Sequence, residues 1–197
     1  MPRTIDRDAR KAQLAEAVWR IVVERGIGAV SVRTVAEQAG VVVGSLRHVF
    51  PTRAELLEFS AELAVERASA RIRATPQADD PLEYAFRIVR HLLPLEPDSR
   101  AELEIWIALL AESPVVPRLA AIRDEANQQV EDLCIQVVEF LTARPRDERT
   151  LADGRRLHAL VDGLAFHLLT QPRDADPAWA TDLAREELTR LAAASSS

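Results

Sequence analysis

Helix starts recur along this chain, and almost nothing in it argues for a strand. Thr52 and Glu55 have the T-x-x-E spacing of a capping box, and Ser99 and Glu102 repeat it as S-x-x-E. Asp80 precedes Pro81, while Asp8 and Ser31 each stand before a helically spaced apolar run. Such side chains accept from amides that the first turn leaves unpaired, so they mark where helices begin. The β-branched clusters at residues 21–23 and 41–43 are short and lie inside longer helical patterns. The spacing predicts helices from Asp8 to Arg25, Ser31 to Ala39, and over about 43–49, 52–73 and 81–93. It predicts four more: one opening at Ser99 and carrying ELEIWIALLAE, then about 116–142, about 148–170, and a last one ending near Ala193. Gly26 and Gly40 close the first two, Pro51 stops the third, and AAASSS reads as a frayed tail. The predicted fold class is all-α, with about nine helices.

Three short helices before residue 51 and longer ones after it divide the chain into 1–51 and 52–197. Charge divides in nearly the same place. Residues 1–53 carry nine Lys/Arg and five Asp/Glu, a net of +4; residues 54–197 carry sixteen and twenty-six, a net of −10. A basic head on an acidic body points to a polyanion held by the head, although chance over some fifty residues also yields such a split. At 197 residues and 48% hydrophobic the chain can bury a core, and no apolar run is long enough to cross a membrane. The start shows no apolar leader, and the single Cys134 allows neither an intrachain disulfide nor a cysteine-based metal cluster. A cytoplasmic protein without a cofactor is expected.

On a helical wheel, residues 43–50 place Leu46, Val49 and Phe50 together as the buried stripe. Gly44 and His48 lie opposite, Ser45 and Arg47 on the flanks and Val43 at the boundary. A glycine inside a helix costs about 1 kcal/mol against alanine, and close approach to another surface is one reason to keep it. A short helix and the turn Ala39-Gly40-Val41 come before, which is the spacing of a helix-turn-helix whose second helix enters the major groove.

The stretches SVRTVAEQAG (31–40), GSLRHVF (44–50) and PTRAELL (51–57) resemble the TetR family of bacterial transcriptional regulators. The sharp match covers residues 10–57. RLHALVDGLAFHLL (156–169) is similar to the family's eighth helix, which pairs with the ninth across a dimer, and RAELEIWIALLAE resembles the ligand domain of the BetI-like branch. The resemblance implies an N-terminal helix-turn-helix domain, a C-terminal effector-binding and dimerisation domain, and a repressor binding palindromic double-stranded operator DNA as a homodimer. It implies that Ser31, Arg33 and Thr34 meet phosphates, that Val43 and Ser45 face base edges or the backbone, and that Gly44 allows close approach. Arg47, His48 and Arg53 would grip phosphates. Arg47 stands where the family has tyrosine, so contact with guanine is open to it as well; Arg53 replaces a lysine, and Val42 a capping serine.

By the same resemblance, Leu157, Val161, Leu164 and Leu168 would line the dimer interface. A small-molecule effector, cationic or neutral given the body's charge, would enter the larger domain; Tyr84, Phe86, His91, Trp106, Asn127, Gln128 and Cys134 are the candidate contacts. No catalytic or metal constellation stands out. His158 and His167 are nine residues apart, which misses the spacing of a helical metal pair, and no phosphate loop, nucleophile elbow or HExxH occurs. Two other readings keep a place: a constitutive or activating regulator of the same fold, and an α-helical enzyme or small-molecule-binding protein with an incidental basic head.

Overall fold

The computed structural model describes residues 3–194, with side chains from residue 9 onward. The expected Asp8 cap and the last three residues of the expected tail lie outside the described side chains. Among the described residues there are nine α-helices and no strand. In chain order they are α1 (Arg3–Arg25), α2 (Val32–Gln38), α3 (Val43–Val49), α4 (Arg53–Arg73), α5 (Pro81–Arg90), α6 (Pro97–Leu110), α7 (Pro117–Thr142), α8 (Glu148–Thr170) and α9 (Ala178–Ala193). A 3₁₀ turn, Ile27–Ala29, that the sequence did not reveal joins α1 to α2. No described helix is long and apolar enough to cross a membrane.

Most starts are set by the residues that mark them. The Glu55 amide donates to Thr52 Oγ1 at 3.2 Å, the Leu82 amide to Asp80 at 3.0 Å, and the Thr150 amide to Asp147 at 2.8 Å. Ser99 differs from expectation: α6 begins at Pro97, and Ser99 lies inside its first turn, where its Oγ accepts from the Glu96 amide at 3.2 Å. Proline at the first position lacks only an amide that the helix would not use, which moves the start forward of the serine.

Two compact units divide the chain, and neither follows the 51/52 boundary expected from the sequence. The first runs to Arg67 and adds Ala101–Asp124. Its core joins Leu14, Val18 and Ile21 of α1, Val35 of α2, Leu46 of α3, and Leu56, Leu57 and Ala61 of α4 to Ile105, Leu109, Leu119 and Ile122. Each large aliphatic side chain buried in this way contributes about 1.5–3 kcal/mol, so the start of α4 packs with the head instead of leaving it. Trp19 Nε1 donates to the Ser60 carbonyl at 3.3 Å, and Phe50 meets Phe59 at 5.3 Å between ring centres.

The second unit comprises Ala68–Arg100 and the chain from Glu125 onward. Here α9 packs on both α5 and α8. Gly154 lets α8 press on α7, since a Cβ there would stand 2.5 Å from Ile135 Cγ1 and 2.9 Å from its Cα. Arg100 donates to the carbonyls of Leu168, Leu169 and Gln171 at 3.0, 2.8 and 2.8 Å, closing the C-terminal end of α8.

The apolar stripe of α8 needs a correction. Leu157, Val161, Leu164 and Leu168, expected at a dimer interface, are all buried within their own chain, at most 4% exposed. A single helix shows one apolar face, and here the subunit's own core takes it. The outward face of α8 carries Arg155, Ala159, Asp162 and Phe166 instead.

Candidate nucleic-acid interface

The head's helix pair is set by a closed capping network. At the start of α2, Ser31 Oγ accepts from the Thr34 amide at 3.1 Å, and Thr34 Oγ1 accepts from the Ser31 amide at 2.9 Å. Thr34 Oγ1 also donates to the Ala29 carbonyl at 2.7 Å, so its 3.0 Å contact with Ser31 Oγ uses the serine's proton. Both hydroxyls are thus engaged inside the cap. Arg33, exposed in the first turn of α2, is the donor this helix offers an anion.

Gly40 ends α2 at φ 67°, a left-handed value that glycine adopts without strain, and the Val41 amide returns to the Ala36 carbonyl at 2.9 Å. The chain then enters α3 through Val42, which has extended backbone, no side-chain cap bond and 75% exposure. On α3 the wheel reading holds: Leu46 and Phe50 are 1% and 3% exposed, and Val49 packs partly buried against the same core.

Opposite this stripe, Val43, Gly44, Arg47 and His48 are exposed, with Ser45 half-buried beside them. These positions repeat at i, i+1, i+4 and i+5 and so share one face of the helix. A Cβ on Gly44 would meet nothing within 4 Å, so no packing within the chain calls for glycine there. The face combines a guanidinium, an imidazole, an isopropyl group and a gap. That is a set able to take phosphates, base edges and a thymine methyl at short range.

Arg53 departs from expectation. Its Nε donates to the Val30 carbonyl at 2.8 Å, Nη2 to the Ile27 carbonyl at 3.3 Å, and Nη1 to Glu112 Oε2 at 2.8 Å. A guanidinium so engaged has three of its N–H donors committed within the first unit and its charge balanced by a carboxylate. The sequence carried no signal for this, since Glu112 lies 59 residues away.

The candidate effector residues fall in both units. Trp106 packs against the core of the first unit, whereas Tyr84, Phe86, His91, Asn127, Gln128 and Cys134 belong to the second. Tyr84 stacks edge-on against Phe140 at 5.6 Å, and Phe86 carries the Arg185 guanidinium 3.9 Å above its ring. Asn127 and Gln128 are exposed, while Cys134 is fully buried. Burial, with the nearby charges of Asp162 and Glu131, pushes the Cys134 thiol up to about 12, so it stays protonated and inert. Burial also lowers the pKa of His91, helped by Arg71 and Arg90. Missed from sequence was an open depression of about 350 Å³ lined by His167, Gln171 and Trp179, where Trp179 Nε1 donates to Gln171 Oε1 at 3.3 Å. Among the described residues no group of three His, Cys, Asp or Glu side chains could hold a metal ion.

Comparison with known proteins agrees with this geometry. Residues 11–58 match the model for bacterial regulatory proteins of the tetR family, and residues 81–193 match that for the C-terminal region of BetI-type transcriptional repressors. The HTH-type transcriptional regulator PksA of Bacillus subtilis (strain 168) is 33% identical over 174 residues, 87% of this chain and 84% of that protein. A transcriptional regulator from Rhodococcus sp. Rha1 superposes with a TM-score of 0.81 at 25% identity, covering 93% of this chain and 96% of its own. The multidrug binding protein EbrR, complexed with malachite green, gives a TM-score of 0.68 at 29% identity, over 92% and 97% of the two chains. With the helix-turn-helix inside the first match and more than half the chain inside the second, the protein belongs to the TetR family and is a DNA-binding transcriptional regulator, not an enzyme.

Proposed function

We propose that this regulator is a repressor, binding a roughly palindromic operator as a homodimer and leaving it when a small molecule occupies the second unit. The observation that carries the reading is the outward face of α3. Val43, Gly44, Arg47 and His48 are exposed together while Leu46 and Phe50 anchor the helix from behind. In this reading Arg33, Arg47 and His48 hold phosphates, Val43 and Ser45 meet base edges, and Gly44 lets the helix sit deep. Two such helices must stand about 34–36 Å apart to enter successive major grooves.

A homodimer is favoured by the outer faces of the last two helices. Phe166 on α8 is 57% exposed and Leu183 on α9 43% exposed, beside Ala159 and Asp162 on the same α8 face. Large apolar side chains left in water next to small ones suit a self-complementary contact. For the effector, the net −10 of residues 54–197 favours a cation or a neutral molecule. Malachite green, bound by EbrR, is a cationic dye, which agrees with that sign.

The test is a titration of duplex DNA from upstream of the protein's own gene, followed by fluorescence anisotropy across a salt series. Wild type should bind, and Arg47→Ala should bind more weakly with the slope of log K against log [salt] reduced by about 0.9, the value for one phosphate. If the slope is unchanged and affinity intact, Arg47 does not touch the backbone and α3 is misassigned.

A further inference from the structure

We infer that Arg53 and Glu112 form a latch that sets the attitude of the helix-turn-helix, so that Arg53 serves DNA binding as a positioning residue and not as a phosphate contact. The inference rests on the DNA-reading role proposed above, but its geometry does not. Arg53 is the first residue of α4, and its guanidinium reaches three acceptors on two segments of the first unit. Two are carbonyls of the turn that delivers α2: Ile27, the first residue of the 3₁₀ turn, and Val30, directly before the Ser31 cap. The third is the Glu112 carboxylate at 2.8 Å, in the turn after α6. That turn is itself fixed, because the Glu112 carbonyl accepts from the amides of Val115 and Val116, both at 2.9 Å.

Between the Ile27 and Val30 carbonyls the turn is held by Thr34, whose hydroxyl donates to the Ala29 carbonyl at 2.7 Å. The segment 27–30 is therefore gripped by one side chain of α2 and one of α4. Where it sits decides where α2 begins, and α3 follows from α2 through the Gly40 turn. The side chains of Arg53 and Glu112 are 34% and 21% exposed, enough shielding for the pair to resist screening by salt. A planar guanidinium can serve acceptors on several sides at fixed angles, which the single ammonium of lysine cannot reproduce. Seen from a phosphate, the pair carries no net charge.

Two functions for Arg53 separate cleanly by experiment. The probe is a duplex selected by the wild-type full chain from a random pool. The variants are Arg53→Ala, Arg53→Lys, Glu112→Ala and the double Arg53→Ala/Glu112→Ala, each also followed by thermal unfolding. Arg67→Ala is the control, because it breaks an ion pair with Glu16 in the same unit, at 2.7 Å, without touching the 27–30 turn.

A latch predicts that Arg53→Ala and Glu112→Ala each weaken DNA binding by about tenfold, equivalent to about 1.4 kcal/mol. The salt slope should stay as in wild type, and the double variant should be no worse than either single one. Arg53→Lys should behave like Arg53→Ala. Arg67→Ala should lower the melting temperature and leave affinity alone. A phosphate contact predicts the reverse: a slope lowered by about 0.9 for Arg53→Ala, retention of affinity in Arg53→Lys, and tighter binding in Glu112→Ala. Any of those three results overturns the latch. Should wild type select no duplex at all, the proposed DNA reading fails, and the unfolding data alone then decide the latch. Non-additive melting shifts for Arg53 and Glu112 uphold it, and additive ones refute it.

Discussion

Gly44→Ala should make the free protein more stable and a poorer DNA binder at once. Glycine in a helix gives up about 1 kcal/mol relative to alanine because more backbone freedom is lost on folding. Gly44 is the second residue of a seven-residue helix, so a gain near the lower end, about 0.5–1 kcal/mol, is expected. Nothing in the chain offsets it, since the added methyl meets no atom within 4 Å. For a protein of this size each kcal/mol moves the melting temperature by about 2–4 °C, giving a rise of about 1–4 °C by circular dichroism. If α3 reads the groove as proposed, the same methyl occupies the gap through which it approaches the DNA. Overfilling a tight contact costs about 1–3 kcal/mol, hence a loss of about fivefold to more than a hundredfold in affinity by anisotropy at fixed salt. The two readings must move in opposite directions. Unchanged affinity would mean that glycine is not kept for close approach. A lowered melting temperature would mean that position 44 is not in an unobstructed helical turn.

The two faces of α8 should respond differently to charge. Phe166→Asp should convert dimer to monomer by light scattering with little change in monomer unfolding, whereas Leu164→Asp, placed in a site 4% exposed, should unfold the second unit; a Phe166→Asp protein that remains dimeric places the interface elsewhere. His91 gives a pH dependence whose sign follows from its lowered pKa: the unfolded chain takes up the proton first, so stability is complete above the ordinary imidazole value near 6.5 and declines as pH falls through the lower folded value. His91→Gln should flatten that part of the stability curve, and an unaltered curve would refute the assignment. Cys134, buried and protonated, should react with a thiol reagent only at the rate of unfolding. Fast labelling of the native protein would show that α7 opens locally.

What the sequence disclosed was local. Ser31, Thr52 and Asp80 mark helix starts because a cap acts within three residues, and the buried stripe of α3 is visible because Leu46 and Phe50 are one turn apart. What it hid depended on distance or on choice of face. The 3.6-residue period finds Leu157, Val161, Leu164 and Leu168 but does not say whether their partner is the same chain or another. Arg53 looked like a cation for DNA because its carboxylate partner is 59 residues downstream, and no pattern around position 53 points there. The division into compact units differs from the 51/52 boundary for a related reason: Pro51 ends a helix, but Leu56 and Leu57 one turn later are fully buried with the head. Candidate effector residues were chosen by chemistry alone, and they fall in both units.

The glycine at position 154 restricts how the larger helices can rearrange. With no side chain between α8 and the backbone of Ile135, the two axes interlock at that point like a notch on a rib. Lengthwise sliding of one along the other would drive side chains one turn away on the same face, such as Leu157 or His158, into Ile135, while tilting both together meets no such obstacle. Any rearrangement this part of the molecule undergoes should therefore carry the two helices as a single lever, with its bending confined to the connections on either side.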